Sequence, residues 1–318
     1  MKLGMQVMTR GPMAAPGGIM AVTREAEALG FDFAALNDHL IVPKDISSKY
    51  PYTNTGAWPG KVFGECMDVL TAMAFVAGCT ERLRMLSSVM VVPHRPALLT
   101  AKMVATTDVL SGGRLILGIG VGWMEEEFSA LGVLAFSERG ALTDEYMAAC
   151  IELWTKEDPR FDGKYTRFQN IAFAPKPLQK PHPPIWIGGE SKAALRRTVR
   201  YADAWFPASN NPKNKLDTID RLQAGIAELH QVSEQMGRDP ASIEIAYVTL
   251  WPVNWEAQEG PDGGRRILTG SSAEIAADLD ALARLGVNHM TFTFQTLDLN
   301  ETLDRMRRFA AEVMPLVT

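Results

Sequence analysis

Strand-like and helix-like segments alternate along almost the whole chain of 318 residues. The predicted strands are residues 3–8, 33–37, 83–92, 115–119, 185–187, 204–207, 243–250 and 289–294. The predicted helices are residues 19–29, 69–77, 97–110, acidic segments up to residue 154, 191–201, 215–236, 272–285 and 300–313. Such alternation builds parallel βα units, and eight units favour a closed barrel over an open doubly wound sheet. We therefore predict a (β/α)8 TIM barrel, as a single domain over residues 1–318.

Two segments depart from this alternation. A loop rich in Pro, Tyr, Ser and Gly follows the second predicted strand, from Pro43 to Gly64. Residues 155–184 contain the pair Asp162-Gly163, which is typical of a hairpin turn, and then a run dense in proline. We predict that this second segment is an excursion over one face of the barrel and not a linker between domains.

Composition excludes several classes of partner. The net charge is −5 and the Lys and Arg residues are scattered, so the chain lacks the basic patch of a nucleic-acid-binding protein. No stretch approaches the roughly 20 apolar residues of a membrane-spanning helix. The three cysteines, Cys66, Cys79 and Cys150, show neither close pairing nor metal-ligand spacing. We expect a cytoplasmic protein that acts on a small molecule, with no nucleic-acid or membrane partner.

Polar residues at the ends of the predicted strands are the candidates for chemistry, because the active site of such a barrel lies at that end. Asp38 and His39 follow the second strand. A histidine there can donate or accept a proton near neutral pH, so we predict that both residues are catalytic. The alternative is a structural pair in which Asp38 caps the following loop. We expect structural roles for His94, His182 and His289.

Glycines mark two further strand ends. Gly188 and Gly189 precede Glu190 and Ser191 where a helix begins, and such a loop binds phosphate through backbone N–H groups. The alternative is a tight turn that needs glycine for its backbone. The glycines of residues 118–122 lack the spacing of a dinucleotide fingerprint. We expect instead that small residues here, Gly120 and Gly122 among them, let a flat ring lie against the strand.

Other chemistries lack their motifs. Met-Thr-Arg stands where a metal-dependent barrel hydrolase has His-x-His, and neither a metal-ligand cluster nor a Gly-x-Ser-x-Gly elbow is present. We therefore predict no metal and favour a cofactor-dependent enzyme. Three tryptophans, Trp58, Trp251 and Trp255, are either walls of an apolar substrate pocket or packed residues.

Several motifs in the same order resemble one family. They are VPHRP at 92–96, DVLSGGRL at 108–115, LGIGVGW at 117–123, IWIGG at 185–189 and YADAW at 201–205. Through them the chain resembles the luciferase-like monooxygenases, barrel enzymes that use FMN or the deazaflavin coenzyme F420. The resemblance implies homodimers that form through the barrel helices.

The resemblance also implies site residues. The family carries a non-prolyl cis peptide in a bulge at the end of strand three, against which the central flavin ring rests. The matching residues are Ser87, Ser88 and Val89, without an assignment of the bond. Asp38 and His39 match a pair beside the cofactor ring in sugar-phosphate dehydrogenases of the family. The loop of residues 188–191 matches the one that holds the cofactor phosphate.

The resemblance favours F420 over FMN. Residues 38–43, with Tyr50-Pro51-Tyr52 after them, look most like the actinobacterial deazaflavin-dependent branch. Residues 123–126 lack an asparagine that some deazaflavin dehydrogenases use, so their substrates are not carried over. We predict an F420-dependent oxidoreductase that transfers a hydride to or from a carbonyl, alcohol or activated alkene. The alternatives are an FMN-dependent monooxygenase with a partner reductase, and a cofactor-binding protein without turnover.

Overall fold

The computed structural model describes residues 1–63, 66–133 and 136–317, so Gly64, the last residue of the predicted loop, lies outside the described residues. Its strands are β1 Lys2–Val7, β2 Phe33–Leu36, β3 Arg84–Ser87, β4 Met90–Val91, β5 Leu115–Gly120, β6 Phe161–Asp162, β7 Arg167–Phe168, β8 Ile185–Gly188, β9 Ala204–Phe206, β10 Glu244–Val248 and β11 Val287–Phe292. Its helices are α1 Pro16–Ala28, α2 Val69–Cys79, α3 Ala97–Leu110, α4 Glu125–Ala130, α5 Arg139–Thr155, α6 Lys192–Tyr201, α7 Ile219–Gln235, α8 Ser272–Arg284 and α9 Leu299–Glu312.

The strands close into a parallel barrel. Neighbours run in the order β3, β2, β1, β11, β10, β9, β8, β5, and β3 pairs with β5 to complete the ring. The short β4 also pairs with β5 and continues β3, so the two form one barrel strand. The predicted eight-stranded TIM barrel is confirmed. The predicted hairpin turn at residues 162–163 is also confirmed, because β6 and β7 pair antiparallel around it.

The core has two layers, as expected when successive residues of a strand face opposite sides. On β2, Phe33 and Ala35 belong to the cluster inside the barrel, whereas Ala34 and Leu36 belong to the larger cluster between barrel and helices. A Cβ at Gly4 would overlap the Phe33 ring, so glycine on β1 makes room for that ring. The filled interior leaves the strand ends as the place for a ligand.

Side-chain caps set several helix starts. Helix α7 begins four residues after the predicted start at 215, because Thr218 caps it by accepting the N–H of Arg221 at 3.2 Å. Helix α8 begins with a reciprocal capping box between Ser271 and Glu274. Within the described ranges, no helix is long and apolar enough to cross a membrane.

The third barrel strand contains a bulge at Ser88 and Val89. Leu86 pairs with Ile116 and Met90 with Ile119, so four steps along this strand match three along β5. One residue is therefore extra, which bends the strand at its carboxyl end. The Ser88–Val89 peptide bond is cis. The cis peptide that the resemblance implies is confirmed and assigned to this bond.

Candidate active site

Glycines on the neighbouring strands make room for the bulge. A Cβ on Gly118 would overlap the carbonyl oxygen of Ser87. A Cβ on Gly120 would lie 2.6 Å from Cγ2 of Val89, and one on Gly188 would lie 3.0 Å from its Cγ1. These distances are shorter than van der Waals contact, so glycine at these positions of β5 and β8 makes room for the bulge.

Polar contacts tie the bulge to its neighbours. The Ser88 N–H donates to the Leu36 carbonyl at 2.6 Å, and the Gln6 side-chain amide donates to Ser88 Oγ at 3.1 Å. Ser87 Oγ donates to the Gly118 carbonyl at 2.8 Å. The bulge is therefore held by β1, β2 and β5 together.

The space beside Gly120 and Gly122 is occupied by protein. Val89 fills it at Gly120, and Phe128 and Val91 would lie 2.7 and 2.8 Å from a Cβ at Gly122, whose φ is +80°. These glycines therefore shape the strand end through side-chain packing and backbone conformation. Their contact with a cofactor ring stays a prediction.

Asp38 lies in a buried ion-pair network. Arg95 donates to both carboxylate oxygens of Asp38, at 2.9 and 2.8 Å, and the Val91 N–H donates to Oδ2 at 2.9 Å. Arg95 also donates to Asp68, the N-cap of α2. Asp38 thus joins the end of β2 to β4 and α2. This geometry suits a carboxylate that positions its neighbours, because its oxygens already accept three hydrogen bonds.

His39 is held by Glu127 of α4. Nδ1 of His39 lies 2.8 Å from Oε2 of Glu127, and the other carboxylate oxygen accepts the N–H groups of Leu40 and Ile41 at 2.7 and 3.2 Å. Glu127 is 1% exposed and His39 is 8% exposed. Burial opposes ionisation of Glu127, but the hydrogen bonds from His39 and Leu40 outweigh it and lower the carboxyl pKa. The ionised carboxylate fixes the ring with a proton on Nδ1.

The preceding residue of α4, Glu126, holds the long loop. The Ser47 N–H and Oγ and the Ser48 N–H all donate to Oε1 of Glu126, at 2.7, 2.6 and 3.0 Å. Burial opposes ionisation, but these hydrogen bonds lower the pKa of Glu126 to about 2. Glu127 and Glu126 therefore hold the loop at two places, residues 40–41 and residues 47–48.

His94 lies buried beside the His39–Glu127 pair. Its Nδ1 is 3.8 Å from Oε1 of Glu127, beyond hydrogen-bond distance, and its ring meets Phe128 edge-on at 4.9 Å. Neither ring nitrogen has a hydrogen-bond partner among the described residues. Burial lowers the pKa of His94, which keeps the ring neutral. The structural role expected for His94 agrees with this packing.

Two tryptophans pack against the His39 ring, and two tyrosines extend this aromatic cluster. We call Tyr50, Tyr52, Trp58 and Trp123 the mouth cluster. The His39 ring lies 4.6 Å from Trp58 and 6.2 Å from Trp123, and Tyr50 bridges Trp123 and Tyr52 at 5.1 and 5.5 Å. This surface can cover an apolar or planar ligand.

The other two tryptophans pack within the segment after β10. Trp251 donates its indole N–H to the Ile267 carbonyl at 3.0 Å, and Trp255 donates to Ser272 Oγ at 3.2 Å. Of the three candidates for a pocket wall, only Trp58 contacts His39 in the described part of the chain.

The loop after β8 begins a helix. Gly189 has a φ of +105°, and Ser191 caps α6 by accepting the Ala194 N–H at 3.2 Å. Glu190 is buried and its carboxylate accepts the Ala208 N–H and the Asn211 side-chain amide, both at 2.7 Å. Burial raises the pKa of Glu190. Glu190 therefore holds the segment after β9, and phosphate binding by this loop stays a prediction for its backbone and Ser191.

Two side-chain amides flank the end of β1. Asn37 Oδ1 accepts the Thr9 N–H at 3.1 Å, and Gln295 Oε1 accepts the Met8 N–H at 3.0 Å. Their buried NH2 groups, Nδ2 of Asn37 and Nε2 of Gln295, have no partner within the described ranges. Such donors suit the carbonyl groups of a ring that lies over the strand ends.

Residues 1–259 match the luciferase-like monooxygenase family. The chain belongs to this family. A Mycobacterium bovis protein of uncharacterized function is 33% identical over 232 residues, 72% of this chain and 75% of that protein. The FMNH2-dependent dimethylsulfone monooxygenase of Pseudomonas putida is 35% identical over 150 residues, 46% of this chain. That match spans 41% of the monooxygenase, less than half of its length.

Solved structures share the luciferase-like fold. An F420-dependent secondary alcohol dehydrogenase, in complex with an F420–acetone adduct, has a TM-score of 0.75 and 16% identity, and the match covers 100% of this chain and 99% of that one. Identity at this level shows the fold alone. The proteins similar to this chain thus include an FMNH2-dependent monooxygenase, similar in sequence, and an F420-dependent dehydrogenase, similar in fold.

Some residues of this candidate site were not predicted from the sequence. Glu127 lies in an acidic helical segment that gave no signal of a role, and its partner His39 lies 88 positions away in the sequence. Gln295 carried no signal, because a lone glutamine after a strand is common on any surface. Trp123 was a strand-end residue in the motif, but its place in an aromatic cluster depends on how the loop folds over the mouth.

Proposed function

We propose that this protein is an F420-dependent oxidoreductase that transfers a hydride between the deazaflavin and a carbonyl, alcohol or activated alkene. The observation that carries the proposal is the His39–Glu127 pair at 2.8 Å. The Glu127 carboxylate accepts a hydrogen bond from Nδ1 of His39, and Nε2 of His39 has no hydrogen-bond partner among the described residues. A histidine held in this way can exchange a proton at Nε2 opposite a hydride.

Residues of the barrel mouth fit a deazaflavin or flavin. The unpartnered NH2 groups of Asn37 and Gln295 are donors suited to ring carbonyls, and the bulge at Ser88–Val89 lies at the same end of the barrel. Gly189 and Ser191 would hold the phosphate at the start of α6. When bound, the cofactor supplies or accepts the hydride.

His39 balances the charge of the reaction. In reduction of a carbonyl, the substrate carbon gains a hydride and its oxygen takes the proton from Nε2. In oxidation of an alcohol, Nε2 accepts the hydroxyl proton while the carbon loses a hydride. The Glu127 carboxylate stabilises the imidazolium in either direction, and the mouth cluster excludes water from it. Asp38 positions His39 through its contacts with Arg95 and Val91.

The test is binding followed by turnover. We expect F420 to bind the purified protein with micromolar affinity and FMN to bind much more weakly, measured by fluorescence. With a substrate from a screen of carbonyls and enones, His39→Ala should lower turnover by about 10²–10⁴ while F420 affinity changes little. His230→Ala, which alters an exposed histidine on α7, is the matched control. Unchanged turnover in His39→Ala removes His39 from the mechanism.

An FMN-dependent monooxygenase is the second candidate. The 35% identity to the dimethylsulfone monooxygenase favours it. This enzyme would need a partner reductase and would consume oxygen. Preferential binding of FMN, with oxygen uptake that depends on reduced FMN, would support it against the F420 proposal. If neither cofactor binds, both candidates lose their support.

A further inference from the structure

Arg10 carries a positive charge into the barrel mouth. It lies just after β1, and its guanidinium carbon is 4.9 Å from the centre of the Trp58 ring. The same indole lies 4.6 Å from the ring of His39. Nε of Arg10 is buried and has no hydrogen-bond partner in the described part of the chain. The guanidinium is therefore beside the proposed reaction site and has donor capacity left.

The neighbours of Arg10 leave its charge unbalanced. Within residues 1–63, 66–133 and 136–317, no carboxylate forms an ion pair with it. The acidic groups that interact with it are the Cys66 thiol and the Tyr50 hydroxyl. Burial raises the pKa of Cys66 to about 11 and that of Tyr50 to about 12, so both are neutral at pH 7. Arg10 contrasts with Arg95, which has two carboxylate partners.

A half-buried guanidinium without a counter-ion is costly, so the arrangement favours a ligand that carries the missing negative charge. The candidate anions are a substrate carboxylate and the cofactor phosphate. The phosphate loop at residues 188–191 follows β8, and three barrel strands separate β8 from β1 on either side of the ring. Arg10 and that loop thus lie on opposite sides of the mouth. His39 follows β2, which is paired directly with β1.

We propose that Arg10 binds the carboxylate of the substrate, so that the substrates are small organic acids whose reacting carbonyl, alcohol or alkene faces His39. This inference rests on the proposed function for the reacting group. The planar guanidinium of Arg10 can donate two hydrogen bonds to one carboxylate. A lysine ammonium would supply the same charge without this geometry. Trp58 and Trp123 would cover the apolar part of the acid.

The test compares an anion with its neutral analogue. Benzoate and benzamide are titrated into the full-length protein by calorimetry at pH 7, without cofactor. We expect benzoate to bind about tenfold or more tightly than benzamide in the wild type. Arg10→Gln should abolish this preference, and Arg10→Lys should keep part of it. Arg308→Gln is the control, because Arg308 also stacks on a tryptophan, Trp255 at 4.5 Å, but is paired with Glu312.

Four results would overturn the inference. The first is equal affinity for both probes in the wild type. The second is a preference for benzoate that survives Arg10→Gln in a variant with wild-type thermal unfolding. The third is a preference that appears only in Glu65→Gln, since Glu65, outside the described residues, would then balance Arg10. The fourth concerns the cofactor: if Arg10→Gln removes discrimination between FMN and riboflavin, Arg10 binds the phosphate.

The two proposals fail separately. Absence of F420 and FMN binding in the wild type would count against the proposed function, whereas the benzoate preference is measured without either cofactor. Conversely, tight F420 binding with no benzoate preference would leave the proposed function standing and remove the role of Arg10.

Discussion

Glu127 and His39 form a 2.8 Å hydrogen bond between a helix and a strand end that are 88 residues apart in the sequence. The other oxygen of the same carboxylate accepts two backbone N–H groups of the chain that follows His39. One buried side chain thus fixes both the imidazole and the loop that carries it away from the barrel. This arrangement makes the proton on Nδ1 the stable one and leaves Nε2 for a ligand.

Replacing the Glu127 carboxylate should change the state of the His39 imidazole while the fold is retained. In Glu127→Gln the side chain keeps its size but loses its charge, so we expect the neutral Nδ1–H tautomer of His39 to lose its dominance. The measurement is the ¹⁵N spectrum of histidine-labelled protein, with turnover expected to fall about 10–100-fold. Glu125→Gln changes an exposed carboxylate on the same helix and should leave both unchanged. An unaltered His39 spectrum in Glu127→Gln would contradict the assignment.

The buried charges of Asp38 and Arg95 should depend on each other. Arg95→Leu leaves the Asp38 carboxylate buried without its bidentate partner, and we expect a loss of about 3–5 kcal/mol in the free energy of unfolding, measured in urea. Asp38→Asn in the same chain should recover part of this loss. Arg305→Leu removes an exposed i,i+4 pair with Glu301 and should cost no more than about 1 kcal/mol. Equal losses of unfolding free energy in Arg95→Leu and Arg305→Leu would refute the expected difference between the buried and the exposed ion pair.

Glycines near the bulge should tolerate alanine in the order set by what the new methyl meets. Gly118→Ala should destabilise most, because the Cβ would overlap the backbone of Ser87, and Gly120→Ala less, because the Val89 side chain can shift. Gly78→Ala is the control: nothing lies within 4 Å of its Cβ position on α2, and alanine there should stabilise by about 0.5–1 kcal/mol. Thermal unfolding ranks the three. If Gly118→Ala left the thermal stability unchanged, the strands would not need this close approach.

His94 should make the fold sensitive to acid. Burial lowers its pKa from the usual 6.5, with opposing effects from Glu127 and Asp38, so the unfolded chain binds a proton that the folded chain does not. The free energy of unfolding should therefore fall as the pH drops below 6.5, until the lowered pKa is passed. Denaturation at pH 7 and pH 5 measures the effect, and His94→Leu should reduce the difference. His289 has a pKa lowered in the same way and should account for part of what remains.

An exposed histidine supplies the comparison for this pH effect. His230→Ala should leave the difference between pH 7 and pH 5 as it is in the wild type. If His94→Leu likewise leaves it unchanged, the acid sensitivity has another origin.

The barrel could be predicted from the sequence because its determinants are local. Alternating strand and helix patterns and turns such as residues 162–163 are encoded by neighbouring residues, and eight βα units leave few ways to close a parallel sheet. The strand-end positions of Asp38, His39 and residues 188–191 followed from the same pattern. The family motifs added the cis bulge, while the homodimer and the cytoplasmic location stay predictions.

What the tertiary structure decided is which side chains meet at the mouth. Glu127 reaches His39, Asp38 faces Arg95, and Arg10 lies on Trp58, whose ring also contacts His39, because loops from several strand ends converge there. These contacts join residues far apart in the chain, and their energies depend on burial and charge balance that no local pattern encodes. The fold also places the Val89 side chain beside Gly120, a contact that the glycine pattern by itself did not indicate.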